Sequence, residues 1–262
     1  MTDPDTSTSE RPTTPPVTPS PSWLSQANIT TALALVAVIL AAAPYVVPQV
    51  QAWQVRHGLL AHPAVLQETF DALQTQKSQE ATLTAAEAIK AHRESIFNDP
   101  ADPVIGNPRG KIKVVEFLDY LCAYCRAGSP QVKAFLEANP DVELIVKEYP
   151  VVHPPASVEL ANIGMAVARS GHYEEIHYAL LDNGLKSESD IDVVLKQQGL
   201  DPAAVRTAAK SGAIESHVAK TTDLGSTLGI NGTPTFIVGD RMVNGADMTA
   251  LQAAVVAARK AG

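Results

Sequence analysis

The sequence predicts an α/β fold, and the order of its apolar patterns carries that prediction. A strand-like run over Ile112–Leu118 is followed by a helix-compatible stretch over 122–138 and a second strand-like run over 142–147. A strand, a helix and a strand joined by so short a crossover form a right-handed βαβ unit with parallel strands. Helical patterns then continue over 155–228, and a hairpin with one more helix ends the chain. The order βαβ, helical insertion, ββα predicts a thioredoxin fold with an inserted helical subdomain.

The closing ββα unit is predicted from a short hairpin and a helical tail. Residues 235–238 and 241–243 have strand composition on either side of Gly239-Asp240, which is a tight-turn sequence. The last helix is expected over 249–260. We therefore place the main, catalytic domain at 98–262, with its helical insertion at 155–228.

Composition limits the classes of partner. A hydrophobic content of 45% is ample for a packed core, and a net charge of −8 without basic stretches argues against nucleic acid. Residues 1–28 contain six prolines among serines and threonines. Such a segment buries too little apolar surface to offset the entropy of ordering, so we predict a disordered tail.

An uncharged apolar segment follows over 29–47. As a helix its nineteen residues would span roughly 28 Å, close to the thickness of a bilayer core. Ala41-Ala42-Ala43 resembles a signal-peptidase site, but Pro44 after it disfavours cleavage, so an uncleaved anchor in contact with lipid is preferred. We expect a single-pass inner-membrane protein with its catalytic domain in the periplasm. In that oxidising compartment no spare cysteine could mispair.

Residues 51–97 have helical patterning. Leu59, Leu66 and Leu73 recur every seven residues, and Phe70 lies beside them. Two interpretations remain open from this periodicity. The segment is either an amphipathic helix packed on the main domain or a helical stalk that associates with copies of itself.

Cys122-Ala123-Tyr124-Cys125 contains both cysteines of the chain. The pair follows a strand and opens a helix, where unpaired N–H groups and the helix dipole favour a thiolate. A redox site needs this context. A zinc site needs about four ligands, and a structural disulfide in so small a ring constrains little of the unfolded chain. Both alternatives are therefore weaker than a redox dithiol.

The chain resembles the DsbA family of thiol–disulfide oxidoreductases over roughly 98–262. The motifs that carry the resemblance are E-F-x-x-x-x-C-x-x-C from Glu116 to Cys125 and G-T-P-T-F from Gly232 to Phe236, with helices between them. It is similar in particular to the ScsC-like branch, whose N-terminal helical regions oligomerise. That similarity favours the self-associating stalk over 51–97, and the chain has Ala123 where the branch often has glycine.

The resemblance implies roles at matching positions. Cys122 would be the attacking, solvent-facing cysteine and Cys125 the buried, resolving one. Pro234 would be a cis-proline facing the site. Thr233 before it would offer backbone hydrogen bonds to an extended substrate, and Tyr124 would flank the thiol on the substrate side.

Glu116 is the one charge in the central apolar part of its strand. It lies either at the solvent face or buried beneath the thiols, where the family has an acid that relays protons to the second cysteine. A lone buried charge is costly, so the second interpretation expects a partner, with Lys147 on the next strand as the candidate.

We therefore expect a membrane-anchored enzyme that exchanges disulfides in cysteine-containing proteins, without cofactor or metal, as a homo-oligomer served by a membrane redox partner. The Ala-Tyr dipeptide between the cysteines resembles isomerase or reductase sites more than those of strong oxidants. Two alternatives stay open. The chain could be a membrane-tethered chaperone, or a copper-binding module that uses Cys122 and Cys125 as soft ligands.

Overall fold

The computed structural model describes residues 26–46, 48–168, 170–182 and 188–261. Residues 1–25 of the predicted disordered tail lie outside this range, as does Val47. The chain divides into two units, Met1–Leu73 and Gln74–Gly262.

The first unit consists of helices in its described part. Helix α1 covers Gln26–Val46, α2 covers Pro48–Ala61, and α3 covers Pro63–Ala91 and continues into the second unit. Among the described residues, no helix combines the length and the apolarity that a membrane crossing requires. The prediction of a transmembrane anchor over 29–47, and with it the single-pass inner-membrane location, was therefore wrong. It rested only on the length and the lack of charge of this one segment.

The second unit is built on one five-stranded sheet. Its strands are β1 Val104–Gly106, β2 Ile112–Leu118, β3 Val142–Glu148, β4 Thr235–Val238 and β5 Arg241–Asn244. The spatial order is β1-β3-β2-β4-β5. Strand β2 runs parallel to β3, and all other neighbours are antiparallel. The predicted parallel βαβ unit and the closing hairpin are confirmed.

Eight further helices surround this sheet in the described residues. They are α4 Arg93–Phe97, α5 Ala123–Ala138, α6 Ala156–Ala168, α7 Tyr173–Asp182, α8 Glu188–Gln197, α9 Pro202–Ala209, α10 Gly212–Thr227 and α11 Met248–Ala261. Five of them, α6 to α10, lie between β3 and β4, which confirms the thioredoxin fold with a helical insertion. The start of α9 shows how local sequence fixes the beginning of a helix. The Asp201 carboxylate caps α9, and Pro202 occupies its first turn.

The two faces of the sheet bury two separate cores, because successive strand residues point to opposite faces. Val114 and Leu118 of β2 face the larger core, which also contains both cysteines and residues of α5, α6, α7 and α11. Val115 and Phe117 face a smaller core, which Ile89 of α3 and Ile96 of α4 complete. The end of α3 thus packs on the sheet, whereas Leu66, Phe70 and Leu73 remain 38–64% exposed.

Candidate active site

The two cysteines lie where β2 gives way to α5. Cys122 is the N-cap residue of α5, and Cys125 lies in its first turn. Asp119, which is 2% exposed, holds the intervening turn. Its carboxylate accepts the N–H of Leu121 at 2.8 Å and that of Val152 at 2.8 Å, and its carbonyl accepts the N–H of Cys122 at 3.0 Å. These three hydrogen bonds of Asp119 therefore fix the backbone just before Cys122, and with it the position of the first sulfur.

The Cys122 thiol is strongly acidic. Its pKa is lowered from 9.0 to about 5, chiefly because the Cys125 thiol donates a hydrogen bond to it. The backbone N–H groups of Tyr124 and Cys125 contribute further, and together these effects outweigh the opposing effect of burial. These N–H groups belong to the first turn of α5, where the helix dipole also favours negative charge. At neutral pH Cys122 is a thiolate, the form that attacks disulfides.

Cys125 has the opposite character. Its pKa is raised, first by the hydrogen bond with Cys122, then by burial and then by the charge of Glu116. As whole residues the two cysteines are similarly buried, with Cys122 6% exposed and Cys125 3%. The difference between the two cysteines is one of acidity: one sulfur is ready to attack, and the other keeps its proton.

The loop before β4 completes the surroundings of Cys122. The Thr233–Pro234 peptide bond is cis, and the Cys122 Sγ lies 3.1 Å from the Thr233 carbonyl oxygen. Thr233 is 8% exposed, and its side chain helps to lower the pKa of Cys122. Tyr124, in contrast, is 75% exposed. The structure thus brings Cys122, Cys125, Thr233 and Pro234 together and leaves the Tyr124 ring at the rim.

Glu116 is buried on the same face of the sheet as the cysteines. It is 4% exposed, and burial raises its pKa from 4.5 to about 8. The predicted partner Lys147 is not paired with it. In the β2–β3 register Glu116 stands opposite Val146, and Lys147 stands opposite Phe117. The side chains of Glu116 and Lys147 therefore point to opposite faces of the sheet.

Lys147 finds its partners on the other face. Its ammonium group, 1% exposed, donates to the Asp102 carboxylate and, at 2.6 Å, to the carbonyl of Ser95. His217 of α10 lies 3.0 Å from the other Asp102 oxygen. This ion pair ties the segments around α4 and β1 to the sheet and takes no part in the thiol site.

A buried polar cluster at the end of β3 was missed by sequence reasoning. Glu148 Oε1 accepts hydrogen bonds at 2.8 Å from the hydroxyls of Tyr120 and Tyr173. The Tyr120 hydroxyl also lies 3.2 Å from His177 Nδ1. Burial raises the pKa of Glu148 to about 8 and lowers that of His177 to about 3, so at neutral pH the carboxyl is mostly protonated and the imidazole is neutral.

The missed cluster left one weak signal in the sequence, a glutamate that ends an apolar strand. One partner, Tyr173, lies on a helix of the insertion 25 residues further along the chain, and the other, Tyr120, lies 28 residues before Glu148. Only tertiary packing brings them to it. As for metals, the described residues contain no group of three or more His, Cys, Asp or Glu side chains that could hold an ion.

Comparison with known proteins identifies relatives of this chain. The curated relatives include the thiol:disulfide interchange protein DsbA of Bordetella parapertussis, 25% identical over 66% of this chain and 85% of that one. They also include the Na(+)/H(+) antiporter NhaA 1 of Salinispora arenicola, 31% identical over 61% of this chain. The chain spans only 26% of the length of that antiporter.

Solved structures extend the likeness. A thioredoxin-like oxidoreductase from Silicibacter pomeroyi is 37% identical, with a TM-score of 0.60, over 65% of this chain and 99% of that one. BcfH of Salmonella enterica Typhimurium is 26% identical, with a TM-score of 0.67, over 87% and 99%. ScsC of Proteus mirabilis in a transitional conformation is 26% identical, with a TM-score of 0.58, over 81% and 98%.

A family model, the DSBA-like thioredoxin domain, matches residues 113–256, which is more than half of the chain. That span contains both cysteines and the Thr233–Pro234 loop. The predicted family is confirmed: the chain belongs to the DSBA-like thioredoxin domain family, whose members are thiol–disulfide oxidoreductases.

Proposed function

We propose that this chain exchanges disulfides in cysteine-containing proteins through Cys122 and Cys125, and that it works as an isomerase or reductase. The observation that carries the proposal is the division of acidity within the pair. A buried dithiol with one pKa lowered to about 5 and the other raised is suited to nucleophilic attack followed by resolution.

The exchange has two steps. The Cys122 thiolate attacks one sulfur of a substrate disulfide, the substrate S–S bond breaks, and the released substrate thiolate takes up a proton. Cys125 then loses its proton and attacks the Cys122 sulfur, which frees the second substrate thiolate. The substrate gains two electrons and the dithiol becomes a disulfide. In isomerisation a substrate thiolate attacks the mixed disulfide instead, and no net electrons are transferred.

Glu116 is proposed as the acceptor of the Cys125 proton. Its carboxyl lies on the cysteine face of the sheet, and its pKa of about 8 lets it exchange a proton near neutral pH. Its negative charge also raises the pKa of Cys125, so the two groups affect each other electrostatically. A buried acid of this kind speeds the second step without contacting the substrate.

The direction of exchange follows from how strongly the thiolate is stabilised. A pKa of about 5 for Cys122 lies between the values of about 3.5 in the strong oxidant DsbA and about 7 in reducing thioredoxin. Stabilising the thiolate stabilises the reduced enzyme and makes the disulfide more oxidising. A thiolate less stabilised than that of the strong oxidant, together with the Ala-Tyr dipeptide between the cysteines, supports isomerase or reductase work, for which a redox partner must keep the pair reduced.

We also propose that the N-terminal helices associate with those of other copies. Leu66, Phe70 and Leu73 lie four and three residues apart on α3, so they share one helix face, and all three are exposed. The matches to BcfH and ScsC cover 87% and 81% of this chain, which is more than the catalytic domain alone provides. A helical region shared with these proteins, together with the exposed apolar face of α3, supports self-association in this chain.

The test is the equilibrium reduction potential, titrated against glutathione, together with the refolding of a protein with scrambled disulfides. We expect a potential near or below about −180 mV and catalysed refolding. The Cys122→Ser variant should lose the refolding activity, and Cys125→Ser should accumulate a mixed disulfide with the substrate.

Two results would contradict the proposal. A potential near −120 mV would make the protein an oxidase that introduces disulfides. Refolding that persists in Cys122→Ser would show that the thiols are not involved and would favour the chaperone alternative.

A further inference from the structure

Two buried acids lie on the face of the sheet that contains the thiols, and the exchange described above uses only one of them. Glu116 is on β2, and Glu148 is the last residue of β3. In the parallel register Glu116 stands opposite Val146, two residues before Glu148, so both acidic side chains point to the same face. One strand across and two residues along place their Cα atoms roughly 8 Å apart.

We propose that Glu148 is a positioning residue for the second step of exchange, and that it acts by competing with Glu116 for a single negative charge. When Glu148 carries the charge, Glu116 keeps its proton and cannot accept the one from Cys125. When Glu148 is neutral, Glu116 is free to ionise and to accept that proton. The inference rests on the function proposed above, in which Glu116 takes the proton, and adds the residue that controls it.

The packing around Glu148 holds its carboxyl in one place. The residue is 2% exposed, and the hydroxyls of Tyr120 and Tyr173 both donate to its Oε1 at 2.8 Å. Its Oε2 has no hydrogen-bond partner among the described residues. On α6, a Cβ at Gly164 would lie 2.7 Å from Oε1, so a side chain there would displace the carboxyl. The two donors favour the ionised form and burial opposes it, which leaves the acid close to balance.

The two carboxyls affect each other's ionisation. Burial raises the pKa of both to about 8, and the charge of Glu116 contributes to the raised pKa of Glu148. Because an interaction between two charges is reciprocal, a charge on Glu148 raises the pKa of Glu116 as well. At an effective dielectric constant of about 20, charges roughly 8 Å apart change each other's pKa by about 1.5. The pair therefore holds at most one negative charge at neutral pH.

The other ionisable groups near the pair do not compete for this charge. They are Asp119 and Tyr120 before α5, Cys125 in α5, and Tyr173, His177 and Tyr178 on α7. Burial raises the pKa of the three tyrosines and of the thiol, and lowers that of the histidine to about 3, so all five stay neutral. The Asp119 carboxylate accepts two backbone N–H groups, which stabilise its own charge.

The first test measures both carboxyls in the full, oxidised protein, in which the thiols do not titrate. NMR of glutamate labelled at the carboxyl carbon follows each acid between about pH 5.5 and about pH 10. Glu148→Gln keeps the shape of the side chain and removes its charge, so the titration midpoint of Glu116 should fall by about 0.5–1 pH units. Glu116→Gln should lower the midpoint of Glu148 in the same way. Glu143→Gln, on the opposite face of β3, is the control and should move neither midpoint.

The second test follows the proton transfer itself. Reduced protein is mixed with oxidised glutathione, and quenched samples give the rate constants for formation and decay of the mixed disulfide. Decay in the wild type should rise with pH over a wide range, because two interacting acids titrate in two steps. In Glu148→Gln it should follow one narrower curve with its midpoint about 0.5–1 pH units lower. Formation, which depends on Cys122, should stay within about twofold.

A Glu116 midpoint that is the same in the wild type and in Glu148→Gln would overturn the inference and leave Glu148 a structural residue. Should Glu148→Gln not fold, Tyr173→Phe is the second variant. Loss of one donor should raise the midpoint of Glu148 and lower that of Glu116, and an unmoved Glu116 midpoint would again overturn the inference. Failure of the proposed function looks different: the NMR midpoints shift as expected, but the wild type either does not react with glutathione or resolves the mixed disulfide at a rate independent of pH.

Discussion

The two faces of the central sheet differ in how their buried ionisable side chains are accommodated. On one face Lys147 is neutralised by Asp102 and held by the carbonyl of Ser95. On the other face burial raises the pKa values of Glu116 and Glu148 to about 8, and the hydrophobic core on that face contains the two thiols. The contrast separates a structural ion pair from acids kept near their titration point. Groups of the second kind cluster at sites where protons move.

The largest effect should come from breaking the ion pair. Lys147→Met leaves Asp102 buried without its cation, so the free energy of unfolding should fall by about 3–5 kcal/mol. Denaturant unfolding at neutral pH measures it. The matched control is Lys113→Met: Lys113 also donates to a backbone carbonyl, that of Phe97 at 2.9 Å, but has an amide oxygen rather than a carboxylate as its other partner.

Lys113→Met should cost no more than about 1 kcal/mol. Adding Asp102→Asn to Lys147→Met should recover part of the loss, because the uncompensated charge is then gone. A loss of less than about 1 kcal/mol in Lys147→Met would show that this face is not organised by its ion pair.

The next effect concerns the pH dependence of stability on the thiol face. A carboxyl whose pKa is raised by folding stabilises the protein fully below the unfolded pKa, and that contribution is lost as pH rises through the folded pKa. For Glu116 the window runs from 4.5 to about 8. Between pH 6 and pH 7, oxidised wild-type protein should therefore lose about 1.4 kcal/mol more than Glu116→Gln.

Denaturant unfolding of the oxidised form measures this difference and avoids the titration of Cys122. Glu87→Gln, at an exposed position of α3, is the control and should follow the wild type. If Glu116→Gln keeps the wild-type pH dependence, Glu116 is not the acid that distinguishes this face.

The smallest effect probes the hydrogen bonds of the Glu148 cluster. Tyr173→Phe removes one of the two hydroxyls that donate to Glu148 Oε1, at a cost of about 1 kcal/mol. Tyr178→Phe, on the same helix, removes a buried hydroxyl that has no partner among the described residues, and should be neutral or stabilising. Equal losses in the two variants would show that the cluster adds no specific stability.

Features that are set by consecutive residues could be predicted from the sequence, and features that depend on contacts between distant segments could not. The cysteine pair, its helix and the order of strands are written in consecutive residues, so the fold and the family could be predicted. Which face a charge occupies depends on strand register, and there the pairing of Glu116 with Lys147 was wrong. The Glu148 cluster requires tertiary packing between distant segments, which one sequence does not specify.

Asp119 has a consequence for how such a site can change over time. Its carboxylate fastens the chain before Cys122 to two backbone N–H groups, while Ala123 and Tyr124 between the cysteines are exposed. Substitutions in that dipeptide can therefore retune the redox poise while the nucleophile stays in place. Selection can adjust the chemistry of this enzyme at two surface positions without changing its fold.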